Sequence, residues 1–214
     1  MKYDVIVVAA GKGSRTGLPY NKMFYKLEDG RTVLETSLSV FEQDPDCANA
    51  IIVCALDELE EVKAHFSGPK RIFVQGGATR QDSVRNGLAS AVSPFVLIHD
   101  GARPFLQKSE LAKIKTALET DDAALLMVPA VDTVKRVIDG YVVETLVRSQ
   151  LMCAQTPQAF KTDLIRACHE KAHECGYVGT DDAQLAEVFS DVQVRAVEGL
   201  PSNRKITVAQ DVEK

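Results

Sequence analysis

The feature that most constrains this chain is a rhythm of short apolar runs. "DVIVVAA" from Asp4, "AIIVCAL" from Ala50, "RIFVQ" from Arg71, "FVLIHD" from Phe95 and "AALLMVPAV" from Ala123 are rich in Val and Ile, nearly continuous, and of strand length. A strand with one wet face would alternate apolar and polar residues. Continuity instead predicts strands covered on both faces, as in a parallel sheet. Helical stretches lie between them at Val33 to Phe41, Glu58 to His65, Arg80 to Ala91 and Ser109 to Leu118. This βαβα order predicts an α/β fold with a doubly wound, mostly parallel, Rossmann-like sheet and right-handed crossovers. Such sheets bind ligands beyond the carboxyl ends of their strands, which directs attention to the loops after Ala10, Val74 and His99.

The pattern changes after Asp132. "TVKRVIDGYVVETLVR" holds two β-rich runs about Asp139-Gly140, a dipeptide that favours the type I′ hairpin turn. A two-stranded ribbon is marginal in water by itself. This one carries Val, Ile, Tyr and Leu, so it should lie on something, and the economical choice is a second subunit. We therefore expect one domain over residues 1–214, with a β-arm for dimerisation at 132–155 protruding from it. A helix from Asp163 to Glu174, a short helix after Asp181 and a late strand "VQVRAV" complete the chain.

Composition bounds the partners. A net charge of −5 argues against a general nucleic-acid binder, which carries a basic surface, so an anionic ligand would need a local basic cluster. The five cysteines are scattered and lack CxxC spacing, as expected of reduced thiols in a cytoplasmic protein. No apolar stretch approaches the roughly 20 residues that span a bilayer, so no membrane association is expected.

The basic cluster is present. The first strand runs into "AAGKGSRTGLPYNK", where Gly11 and Gly13 let backbone N–H groups turn toward an anion, and Lys12, Arg15 and Lys22 supply cations. The P-loop pattern is absent, and Thr16 stands where a dinucleotide fingerprint needs its third glycine. A plain glycine turn with solvated charges is the competing reading, and the Arg and Lys spacing weighs against it.

With "AAGKGSR" and Lys22, the segments "GGATRQDSVRNGL", "HDGARPF", "DTVKR", "QTPQAF", "TDDA" and "NRKIT" follow in order along the chain. Together they resemble the 2-C-methyl-D-erythritol 4-phosphate cytidylyltransferase family, across essentially the whole length. The resemblance implies a nucleotidyltransferase fold and transfer of a cytidylyl group from CTP to the polyol phosphate, with release of pyrophosphate, in isoprenoid-precursor synthesis. It implies that Arg15 and Lys22 stabilise the transition state, and that Arg148 and Lys205 position the acceptor phosphate. Thr133 matches a contact to that phosphate made across a dimer interface. Ala9, Ala10, Gly11, Gly77, Ser83 and Gly101 fall where the family surrounds CTP. Lys12, Gly13, Arg103, Thr156 and Thr180 join the implied substrate site, and Asp100 lies beside the expected Mg²⁺.

There are departures from the family pattern. Ala78 replaces a commonly acidic residue, Gly101 a usual Ala, and Asn21 a customary Pro, the last expected to loosen the loop before Lys22. Two further signals read as structural. "CHEKAHEC" is expected to be ordinary helix surface rather than a zinc site, because its cysteines and histidines do not share one face. Asp181 and Asp182 are expected to start a helix, and His99 to be a buried, hydrogen-bonded histidine. The rival readings are a ribitol 5-phosphate cytidylyltransferase and a non-catalytic nucleotide-binding regulatory module. The second would have no need of an acceptor-side pair such as Arg148 and Lys205.

Overall fold

The computed structural model describes residues 1–11, 20–207 and 211. Within them the expected strands form as β1 (Tyr3–Val8), β2 (Cys47–Cys54), β3 (Arg71–Gln75), β4 (Phe95–Asp100) and β5 (Ala123–Pro129). The helices are α1 (Val33–Glu42), α2 (Leu59–Phe66), α3 (Arg80–Leu88), α4 (Lys108–Ala117), α5 (Thr162–Cys175) and α6 (Asp182–Phe189). The late strand is β9 (Arg195–Glu198). With β8 (Met152–Lys161), the seven strands order as β3-β2-β1-β4-β8-β5-β9.

Side chains along β1 divide between two layers, as the pleat requires. Val5 and Val7 pack with Leu34, Leu38 and Phe41 of α1 and Leu111 and Ile114 of α4. Ile6 packs with Val84 and Leu88 of α3, and the same layer takes Ile165 of α5 and Leu185 of α6. Both faces are covered, which accounts for the unbroken apolar runs. Local signals start the helices where they occur. Thr32 with Glu35 and Thr79 with Asp82 form reciprocal capping boxes at α1 and α3.

The sequence reading did not anticipate β8, which inserts antiparallel between β4 and β5. Its segment is interrupted by Gln155, Thr156, Pro157 and Gln158, which hide the apolar period. Pro157, joined to Thr156 by a cis peptide bond, stands where the β5–β8 register shifts, as suits a residue without an N–H to give the ladder. The three polar side chains are buried at the carboxyl end of β4, where Thr156 bonds to β4 itself, Gln155 to the loop after β9 and Gln158 to the start of α6.

The hairpin forms as β6 (Lys135–Ile138) and β7 (Tyr141–Thr145), separate from the main sheet. Asp139 at φ 49° and Gly140 at φ 83° are both left-handed, the combination a type I′ turn needs. Every residue from 131 to 145 is exposed. Residues 152–155, included in the expected arm, open β8 in the main sheet, where Met152 pairs with Pro129.

Candidate active site

The chain runs outward from β1 to β2 and β3 on one side and returns to β4 on the other, so the β1–β4 boundary is a topological switch point. A cleft of about 370 Å³ opens beyond the carboxyl ends of these two strands. Ala10, Gly11, Lys22, Gly77, Ser83, Asp100 and Lys205, all expected at the substrate site, line it together with Ala78, Arg80 and Thr207.

Each wall has a local cause. Lys22 rides on a single 3-10 turn, Lys22–Phe24, capped by Asn21. Asn21 Oδ1 accepts from Met23 N–H at 3.1 Å, while Nδ2 donates to Glu58 Oε2 at 2.7 Å. The loosening expected from losing the proline is therefore offset by a buried side chain that ties this turn to the segment after β2. Lys22 itself is 8% exposed, and its Nζ donates to the Ile206 carbonyl at 2.8 Å. Ile206 N–H donates to the Ala102 carbonyl, and Asn203 Nδ2 to the Thr156 carbonyl, so the segment bearing Lys205 is pinned at both ends.

The opposite wall follows β3. Ser83 Oγ accepts from Gly77 N–H at 3.1 Å and donates to the Thr79 carbonyl at 2.8 Å, so its hydroxyl shapes the loop. A Cβ on Gly77 would lie 2.3 Å from Asp82 Cβ, a collision that reserves the position for glycine. Ala9 is buried beneath the cleft with its N–H on the Val53 carbonyl. Gly101 is likewise buried, its N–H on Val8 and its carbonyl accepting from Ser37 Oγ.

Asp100 is the electrostatic centre. Lys205 Nζ lies 2.7 Å from its carboxylate, Arg80 Nε 3.4 Å and Arg103 Nε 3.9 Å. Burial works against the charge, but Arg80, Lys205 and Arg103 outweigh it and hold the carboxyl well below the usual range. Asp100 N–H donates to Thr156 Oγ1, and that hydroxyl lies 3.0 Å from His99 Nδ1. His99 Nε2 faces the Arg103 carbonyl at 3.0 Å and so carries the hydrogen, leaving Nδ1 to accept from Thr156. Burial pushes His99 down to about 4, which keeps it neutral near pH 7. His99 is the satisfied buried histidine expected, and Thr156 braces the backbone of Asp100. Arg103 Nη1 also donates to the Asn203 carbonyl at 2.7 Å.

An ionised carboxylate at a strand end suits a hard cation. Asp100 is the carboxylate that lines the cleft, and Mg²⁺ takes one or two carboxylates together with substrate phosphate oxygens and water, so this donor fits it.

Some expected residues are elsewhere. Lys12, Gly13 and Arg15 lie outside the described residues. Thr133 and Arg148 sit on the exposed arm region, with Arg148 Nη1 on the Val131 carbonyl, and neither lines this cleft. Thr180 is exposed and bonded to Gln184 Oε1. Asp181 caps α6 as expected, accepting from Gln184 N–H at 2.9 Å.

His169 corrects the reading of "CHEKAHEC" as helix surface. It is wholly buried, because α6 packs on that face of α5 and Asp182 meets the ring. Arg80 was not singled out, and Asp182, expected only to start a helix, does so and also pairs with Arg80. The signal for Arg80 was present, as a cation in the first turn of a helix that opens just after a glycine loop.

Comparison with known proteins accords with this geometry. The sequence model of the family described as "IspD: 2-C-methyl-D-erythritol 4-phosphate cytidylyltransferase" matches residues 3–214. The chain is 42% identical to the 2-C-methyl-D-erythritol 4-phosphate cytidylyltransferase of Bacillus cereus over 216 residues, covering 98% of this chain and 94% of that protein. It is 43% identical to that of Halalkalibacterium halodurans over 219 residues, with 99% and 94% covered. Among solved structures, 4-diphosphocytidyl-2C-methyl-D-erythritol synthase from Anaerococcus prevotii superposes with a TM-score of 0.87 at 33% identity, covering 99% of this chain and 95% of that one. A match over nearly the whole chain, on a sheet whose switch-point cleft holds lysine and arginine about one carboxylate, has one consequence: the chain belongs to the 2-C-methyl-D-erythritol 4-phosphate cytidylyltransferase family of nucleotidyltransferases.

Proposed function

We propose that the switch-point cleft transfers a cytidylyl group from CTP to 2-C-methyl-D-erythritol 4-phosphate, forming 4-diphosphocytidyl-2-C-methyl-D-erythritol and pyrophosphate. The observation that carries this reading is that Lys22, Arg80 and Lys205 line one cleft with Asp100 at a strand end, in a chain of this family. Both reactants are anions. The protein's task is therefore to hold them in line and offset their charge, and no covalent nucleophile is required.

In this reading the loop from Ala10 and Gly11, with Lys12, Gly13 and Arg15, cradles the triphosphate. Gly77, Ala78 and Ser83 form the cytosine wall. Lys22 meets charge developing on the α-phosphate and the leaving group, and Lys205 turns from Asp100 to the acceptor phosphate. Asp100 and phosphate oxygens would hold Mg²⁺, which supplies Lewis-acid charge neutralisation when bound. The acceptor phosphate oxygen attacks the α-phosphorus, and the bond to the β-phosphate oxygen breaks.

The arm supports a homodimer. Val131 is 82% exposed and Tyr141 77%, with Val137, Ile138, Val142 and Val143 beside them. So much apolar surface on a two-stranded ribbon is suited to burial against another subunit. Thr133 and Arg148 would then reach the neighbour's acceptor site. Five free cysteines suit a reducing, cytoplasmic setting.

Pyrophosphate release from CTP and Mg²⁺, measured separately with methylerythritol phosphate, ribitol 5-phosphate and no acceptor, tests the assignment. Release with methylerythritol phosphate alone is expected. Release with ribitol phosphate alone would transfer the chain to the rival polyol, and binding of CTP without turnover would favour a regulatory module.

A further inference from the structure

Behind the cleft lies a charged group that the reaction as described does not use. Asp182, at the first turn of α6, is 1% exposed at its side chain, and His169 of α5 is 0% exposed. His169 Nε2 lies 3.1 Å from Asp182 Oδ1. The other carboxylate oxygen meets Arg80 Nη1 at 2.9 Å, an ion pair rather than an aligned hydrogen bond. Gln158 of β8 fixes Asp182 in turn, its Oε1 accepting from the N–H groups of Asp182 and Ala183 at 3.0 and 2.9 Å.

Stability alone does not explain this group. A buried ion pair is often no more stable than apolar side chains of similar volume. Here His169 Nδ1 is also buried without a hydrogen-bond partner among the described residues, a further cost. Burial would raise the Asp182 carboxyl, yet Arg80 and His169 hold it below its ordinary value, so it stays ionised. The arrangement does have a consequence in the cleft. Arg80 is 31% exposed there, with Nη1 on Asp182, Nε near Asp100, and Nη2 in no hydrogen bond to a described residue. Asp100 is shared with Lys205 and Arg103, whereas the Asp182 anchor is sealed from solvent and independent of Asp100.

We propose that Asp182 and His169 are a buried positioning pair that holds Arg80 as a fixed cation for the triphosphate of CTP, including when Asp100 is drawn to other partners. The inference rests on the cytidylyl-transfer reading and adds to it a binding residue, Arg80, with two residues acting through it.

Calorimetric CTP binding and steady-state kinetics on Asp182→Asn, Arg80→Ala and the double variant test it, beside thermal unfolding. Asp182→Asn is expected to raise the CTP dissociation constant and KM about tenfold, with kcat changed less than about threefold. The double variant should bind CTP no more weakly than Arg80→Ala alone, because both substitutions remove one interaction. CTP binding and KM within twofold of wild type, or losses that add fully in the double variant, would overturn the proposal whatever happens to the unfolding temperature. Should Asp182→Asn fail to fold, His169→Gln takes its place: a severalfold rise in CTP KM is expected, and an unchanged KM overturns the proposal. Wild-type protein that releases no pyrophosphate would instead count against the functional reading, so the two failures are distinct.

Discussion

The cleft end of the sheet and the hairpin arm invert each other's surface chemistry. At the cleft, polar and charged side chains are buried: His99, Asp100, Gln155, Thr156, Gln158, Asp182 and Asn203 all lie below the surface, most of them bonded to backbone or to each other. On the arm, apolar side chains from Val131 to Val143 face solvent. The first region is over-determined within one subunit. The second leaves its apolar face open, as the proposed association with another subunit would require. A site assembled from both would have its charge compensation fixed in advance while part of its acceptor recognition depends on association.

The most severe test of that division mixes two inactive variants. Lys22→Ala and Arg148→Ala should each lose about a hundredfold in turnover while keeping the fold, the usual cost of one preorganised donor. If the arm serves the neighbour's cleft, mixing and re-equilibrating them should restore about one quarter of wild-type activity, because half the dimers would carry one intact site. Activity that stays at the level of the separate variants would confine each site to one subunit.

The buried polar end predicts an acid-sensitive fold. His99 is held near 4 by burial, so the unfolded chain takes up its proton first as pH falls through 6.5. The contribution is fully present above the unfolded value and is lost as pH falls toward the folded one, reaching about 2 kcal/mol by pH 5. Urea midpoints at pH 7 and pH 5 should show that loss, and His99→Gln should flatten the difference. An unchanged midpoint in the wild type would contradict the neutral, buried histidine.

On the arm, Ile138→Asp or Val143→Asp should weaken dimerisation at least tenfold by sedimentation, since a buried charge at an apolar contact is costly. The unfolding temperature of the monomer should be unaffected, because neither side chain packs in the core. The smallest effect belongs to Asn21→Ala. Loss of a capping side chain should cost about 1 kcal/mol and lower kcat severalfold through Lys22. Equal activity in that variant would mean that the turn holds without its cap.

The sequence made some of this legible and concealed the rest for physical reasons. Runs such as Ile51 to Cys54 announced doubly covered strands, because burial on both faces removes polar residues from the pattern. Asp139-Gly140 announced the arm through its backbone requirement. Gln155 to Gln158 concealed β8, because a strand whose polar groups brace neighbouring loops does not carry an apolar period. His169 looked like surface for a related reason: its partner, Asp182, is 13 residues away, and only the packing of α5 on α6 brings them together. Lys22, Asp100 and Lys205 could be found from motif order, whereas Arg80 needed the tertiary fold to show which anion sat on each side of it.

The central claim is that the cations lining the cleft, Lys22 among them, serve attack on the α-phosphorus of CTP. Phosphorus NMR of the reaction mixture tests it most directly, following wild type and Lys22→Ala with CTP, Mg²⁺ and methylerythritol phosphate. The account predicts pyrophosphate and a new diphosphate diester in equal amounts from wild type, with both nearly absent from Lys22→Ala. Inorganic phosphate with CDP, or equal product from the variant, would contradict it.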